Sequence, residues 1–115
     1  MTVYSGSVTL NATKGEGIKT DTYTSSKTSV HQGDVIIGSS TTSPVVTITA
    51  YHDGIDAAYD VKIYSGTVSI TDTTKVGTSS TDSVKGIKAH NTVSISGGSI
   101  TVTSYQDCIH SNNTN

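Results

Sequence analysis

The chain has 115 residues, 32% hydrophobic and 14% charged, with a formal net charge of −2 from seven lysines, nine acids and no arginine. So low an apolar content excludes a thick globular core, and the absence of a basic excess argues against a nucleic-acid binder, because neutralising phosphates takes clustered cationic charge. The single cysteine excludes an internal disulfide framework, and no stretch is long and apolar enough to span a bilayer.

What apolar content there is belongs to strands. There are 11 Ile and 12 Val against one Leu, beside 21 Thr and 18 Ser, and β-branched residues favour the pleated surface over the helix. In chain order, Val3–Leu10 (VYSGSVTL) matches Ile63–Ile70 (IYSGTVSI) residue for residue. A coil then starts at Gly17-Ile18-Lys19-Thr20, continues through Asp34–Gly38 and closes with Val45–Thr49. The next runs Gly54-Ile55-Asp56-Ala57, Val61–Ser65 and Thr67–Thr71. The last has no insertion: Gly86-Ile87-Lys88-Ala89, Thr92–Ser96, a Gly97-Gly98 turn and Ser99–Thr103, before Cys108-Ile109-His110-Ser111 restarts the pattern.

Three short period-2 strands per repeat predict an all-β, right-handed, single-stranded parallel β-helix (a β-solenoid) of about four coils, in which each rung buries a narrow strip against its neighbours. The handedness follows the usual crossover between parallel strands. The surplus residues fall in the polar segments Asp21–Gly33 and Asp72–Val84, read as loops grown at solenoid corners. Residues 1–115 read as one domain, either an excerpt of a longer β-helix or one subunit of a stack. Met1 runs straight into polar residues, so the reading is of a chain without a leader.

Stacking brings equivalent positions within about 4.8 Å of each other. Asp56 then lies between Lys19 and Lys88, expected as an exposed charge ladder of small energetic weight. Glu16 stacks on Asp53, and two adjacent carboxylates repel unless a cation bridges them. Hard oxygen ligands suit Ca²⁺, so a calcium site is expected from Glu16, Asp53, Asp56 and Asp107, with Asp60 and backbone carbonyls assisting. If copies stack head to tail, Asp107 of one meets Glu16 of another, and Val3, Val8 and Leu10 with Asp107 and Ile109 form the joint; such a heterologous contact does not close and builds a filament.

The motifs Tyr51-His-Asp-Gly-Ile-Asp-Ala, Lys85-Gly-Ile-Lys-Ala-His-Asn, Val93-Ser-Ile-Ser-Gly-Gly-Ser-Ile-Thr-Val and Tyr105-Gln-Asp-Cys-Ile-His-Ser resemble the repeats of a bacterial secreted family of carbohydrate-binding parallel β-helix proteins, pectate-lyase-like in fold. The resemblance implies a secreted or cell-surface location, calcium near the Asp-Gly-Ile turns, and non-catalytic binding of polysaccharide such as polygalacturonate or cellulose. Lys85 and Cys108 depart from the Asp-Gly-Ile pattern.

Tyr51 and Tyr105 share one corner, Tyr4 and Tyr64 another. A ring face can pack on the apolar face of a sugar while its hydroxyl stays wet, or simply cover the end of the core. Tyr51, Tyr105 and Lys88 are the candidate sugar contacts. Outward Thr47/Thr49, Ser69/Thr71 and Thr101/Thr103 form a Thr-x-Thr array, resembling the ice-binding face of some solenoids but more simply a matter of strand propensity. His31, His52, His90 and His110 have no metal-ligand spacing. An elimination reaction would need Lys19 or Lys88 to act as base; with no arginine and no deep pocket implied, no enzyme is expected. Cys108 reads as a part-buried thiol. The leading expectation is a glycan-binding module; the alternative is a structural subunit of an extracellular filament.

Overall fold

A computed structural model describes residues 1–21, 33–75 and 83–113. Twelve strands run in order: β1 (Thr2–Val3), β2 (Ser7–Ala12), β3 (Ile18–Lys19), β4 (Val35–Ile37), β5 (Val45–Ala50), β6 (Ile55–Ala57), β7 (Val61–Ile63), β8 (Thr67–Asp72), β9 (Ile87–Ala89), β10 (Val93–Ile95), β11 (Ser99–Thr103) and β12 (Ile109–Ser111). Every third strand joins the same sheet. The first sheet is β1-β4-β7-β10, the second β2-β5-β8-β11 and the third β3-β6-β9-β12. All pairings are parallel. The molecule is a three-sided parallel β-solenoid of four coils, as the repeat requires. The predicted insertions lie largely outside the described residues.

Register follows chemistry because a one-residue slip would turn every inward side chain outward. Ile18, Ile55, Ile87 and Ile109 form one column, and Leu10, Ile48, Ile70 and Val102 another. The two middle coils carry the fully buried members, with Ile37, Ile48, Ile55, Ile63, Ile70, Val35, Val46, Val61 and Val68 at 0–1% exposure. Each such side chain contributes about 1.5–3 kcal/mol relative to exposure. The last coil lacks a neighbour on one side, leaving Ile95 40% and Ile109 49% exposed.

The corner glycines are required by close approach. A Cβ on Gly17, Gly54 or Gly86 would collide with the Ile48, Ile70 or Val102 side chain of its own coil and crowd the backbone of the next. Cys108 stands fourth in that column, at the end of the stack, where no later strand of this chain passes beside it. Its thiol is exposed, not part-buried as expected.

Candidate functional site

Ionisable side chains and hydroxyls are sorted to different sides. The third sheet carries the predicted ladder: Lys19 Nζ lies 3.4 Å from Asp56 Oδ2, and Lys88 Nζ lies 3.4 Å from Asp56 Oδ1. The ladder is exposed only in part: the Lys19 side chain is exposed, but Asp56 at its centre is only 7% exposed. Lys88 also reaches Asp53 Oδ2 at 3.3 Å, and Lys19 reaches Glu16 at 3.0 Å. Partial burial opposes ionisation of Glu16, but the Lys19 hydrogen bond and charge outweigh it and hold the carboxyl below its ordinary range; the same bond raises Lys19.

Asp53, 1% exposed, accepts the Lys85 backbone N–H at 2.7 Å, so its carboxylate faces the following coil. A second column precedes the first sheet. Asp34 accepts the Asp60 backbone N–H at 3.1 Å, Asp60 accepts that of Thr92 at 3.1 Å, and Lys62 bridges both acids at 2.9 and 3.1 Å. Desolvation works against the Asp60 carboxylate, yet hydrogen bonds from Asn91, Lys62 and Thr92 lower its pKa; Lys62 is raised by Asp34 first and then Asp60. Sequence reasoning missed this device, although the repeated Asp34-Val35 and Asp60-Val61 before equivalent strands signalled it.

Of the expected calcium ligands, Glu16, Asp56 and Asp53 are linked through Lys19 and Lys88, while Asp60 and Asp107 have separate partners. Glu16, Asp53 and Asp107 lie at the corner entering the third sheet, Asp56 within β6, and Asp60 at the corner leaving it. Four of the five have a lysine within 3.4 Å, and Asp107 lies 2.8 Å from His110 Nδ1. Among the described residues no three His, Cys, Asp or Glu side chains are grouped to hold a metal ion. Ca²⁺ takes six to eight oxygens; here the carboxylates of Glu16, Asp53, Asp56 and Asp60 face lysine ammonium groups. A cleft of about 260 Å³ on this side is lined by Lys19, Thr20, Asp21, Asp56, Ala58 and His90.

The second sheet is built otherwise. Its outward columns are Thr9/Thr47/Ser69/Thr101, Asn11/Thr49/Thr71/Thr103 and Ser7/Val45/Thr67/Ser99. Rungs about 4.8 Å apart and columns about 6.6 Å apart make this a regular hydroxyl lattice. The whole segments 1–13, 35–51, 63–71 and 92–106 contain no Asp, Glu, Lys, Arg or His. The one acid in the sheet's strands is Asp72, which points inward in the column of Ala12, Ala50 and Ser104 and is 2% exposed. Among the described residues neither carboxylate oxygen meets a hydrogen-bond partner in good geometry, and the neighbouring Ser104 hydroxyl donates to Val84 O at 2.7 Å. Burial pushes the Asp72 carboxyl above its ordinary range; Ser104 works against the shift and the Asp53 charge adds to it.

Exposed tyrosines border this sheet on both sides. Tyr51 (43% exposed) and Tyr105 (52%) share the far corner two coils apart, with Thr73 between them by continued register. Tyr51 leans on His52, ring centroids 5.1 Å apart. Tyr4 and Tyr64 hold the near corner. Lys88, the third expected sugar contact, lies on β9 of the third sheet, with its ammonium turned to Asp53 and Asp56. Of the expected joint residues, Val3 is buried, Val8 and Leu10 half-buried, and Asp107 and Ile109 exposed. His31 falls outside the described residues.

A family model for carbohydrate-binding domain-containing proteins matches residues 1–115. The chain belongs to that family. A carbohydrate is accordingly the partner the family membership supports, in keeping with the resemblance seen in the repeats. No curated protein and no solved structure matches the chain.

Proposed function

We propose that this family member is a non-catalytic module that binds polysaccharide outside the cell, and that its contact surface is the second sheet with its tyrosine borders. The observation that carries the reading is the sorting of charge. Twelve outward positions of one sheet present hydroxyls, one amide and one valine, flanked by exposed aromatic rings, while all described Asp, Glu and Lys side chains lie elsewhere or point inward. Sugars offer apolar ring faces and many hydroxyls, which aromatic faces and side-chain hydroxyls complement. The sheet face has no acid or base for proton transfer, so the proposed action is binding alone.

Lysine takes the structural place expected for calcium in this reading. The coils are held together at their charged corners by Lys19, Lys62 and Lys88, and binding is independent of chelator. Electrophoresis through gels containing a soluble neutral β-glucan or polygalacturonate tests the proposal, with chelator present and absent. Retardation in the neutral gel under both conditions is expected, and free migration in both gels would refute it.

The alternative of head-to-tail stacking has the open outer edges of β1–β3 and β10–β12 in its favour. The glycine column weighs against a seamless joint. An added copy would bring its Leu10 into the position that Ile48, Ile70 and Val102 occupy, where three coils require glycine and the fourth has Cys108. A single monomeric boundary in sedimentation velocity is expected.

A further inference from the structure

The near corner contains a built cleft. Continuing the register of the first sheet places Tyr4, Gly38, Tyr64 and Ser96 in one column, one per coil. Tyr4 (59% exposed) and Tyr64 (48%) thus stand two rungs apart, with backbones separated by about 9–10 Å along the axis. Between them Gly38, at φ +76°, presents no side chain. The result is an open cleft of about 410 Å³ lined by Tyr4, Ile36, Gly38, Ser39, Ser40 and Tyr64. That volume lies at the lower end of the range for small-molecule sites, about 300–1,000 Å³.

Its wall is preorganised. The Ser39 backbone N–H donates to Ser65 Oγ at 3.1 Å, and the Ser65 hydroxyl donates in turn to Thr42 O. Ser39 Oγ accepts from the backbone N–H groups of Thr41 and Thr42 at 3.2 and 3.1 Å and lies 2.7 Å from Thr42 Oγ1. A wall fixed in advance loses little entropy on binding. No lining residue carries charge, and the Tyr4, Tyr64 and Ser40 side chains make no hydrogen bond among the described residues. The Tyr51–Tyr105 corner differs: Thr73 fills the middle rung, its hydroxyl donating to Ala50 O at 3.1 Å, and Lys14 belongs to the same corner.

The geometry points to a subsite for one neutral pyranose unit in this cleft, its ring faces against Tyr4 and Tyr64 and its hydroxyls toward Ser40 and the tyrosine hydroxyls. The subsite deepens the polysaccharide reading and rests on it. Uncharged aromatic walls favour a neutral glycan over polygalacturonate, whose carboxylates would find no cation there.

Titration calorimetry with a soluble cello-oligosaccharide tests it on wild type, Tyr4→Ala/Tyr64→Ala, Tyr4→Phe/Tyr64→Phe and Tyr51→Ala/Tyr105→Ala. The expected result is an affinity loss of about ten-fold or more in Tyr4→Ala/Tyr64→Ala, a smaller loss in Tyr4→Phe/Tyr64→Phe, which keeps the ring faces, and a smaller loss in Tyr51→Ala/Tyr105→Ala, where Thr73 fills the middle rung. Wild type that binds no neutral oligosaccharide defeats the broader reading and the subsite with it. Wild-type binding that survives Tyr4→Ala/Tyr64→Ala unchanged defeats the subsite alone. Should that variant lose its fold by circular dichroism, the wild-type Gly38 amide resonance decides: a saturable shift with sugar upholds the cleft, and no shift overturns it.

Discussion

The charged and uncharged sides of this solenoid solve different problems with the same coil. On the third sheet and its corners, Glu16, Asp53, Asp56 and Asp60 are each matched to a lysine, and Asp53 and Asp60 also to a backbone N–H of the next coil, so ionic groups lock neighbouring rungs in register. On the second sheet the longest strands need no such lock. Six-residue ladders and an Ile/Val interior hold them, and the outer face is left to hydroxyls. The difference teaches that charge in this chain serves the stack, while the surface freed of charge is the one offered to a partner.

The sharpest way to break that division is at Asp53, which is buried and serves both the Lys85 N–H and Lys88. Asp53→Ala leaves a largely buried ammonium and an unpaired backbone donor, and is expected to lower stability by about 3 kcal/mol. A fall in urea midpoint at unchanged m-value measures it. Next comes Asp72, the acid on the wrong side of the division. Its raised pKa means the buried carboxyl contributes stability below the unfolded-state pKa, near 4, and that contribution is lost as pH rises through the folded value. Asp72→Asn is expected to be more stable than wild type at pH 7 by about 1 kcal/mol, with the gap closing toward pH 3. Equal stability of the two at both pH values would show the carboxylate to be satisfied.

Glu16 and Asp60 carry the opposite sign. Their lowered pKa values give stability that is present above about pH 4 and lost as pH falls through the folded values. Lys62→Met should therefore flatten the acid limb of the stability curve and reduce stability at neutral pH by about 1 kcal/mol or less, since the lysine is partly exposed. The smallest effect belongs to the hydroxyl face. Thr47→Ala and Thr101→Ala are each expected to change stability by about 0.5 kcal/mol or less. A larger loss would mean that the face supports the fold rather than standing free.

Much of this was legible in the sequence because a solenoid repeats its constraints. Glycine, then isoleucine, then an outward residue recurs at each coil start, and that alone fixes the Lys19–Asp56–Lys88 column. The burial of Asp56 was not legible, because lysine stems cover it only once they are set on adjacent rungs. Nor did the Asp-Gly-Ile spelling reveal that Asp53 faces forward to Lys85 rather than toward Glu16; that direction depends on which coil supplies the free N–H. Tyr4 and Tyr64 could be placed at one corner from the repeated Tyr-Ser-Gly. The cleft between them depends on Gly38, whose coil has the different turn Gly38-Ser39-Ser40. Asp72 was hidden for the same reason, falling in an alanine column at the mouth of an insertion.

The central claim is that the uncharged sheet holds the carbohydrate. It is tested most directly by placing charge there, in Thr47→Glu/Thr101→Glu, and comparing its retardation in a neutral β-glucan gel with that of Lys88→Ala. The account predicts that the face variant keeps its unfolding midpoint but loses retardation, while Lys88→Ala is retarded like wild type. Undiminished retardation of the face variant, together with loss in Lys88→Ala, would move the site to the charged side and contradict the claim.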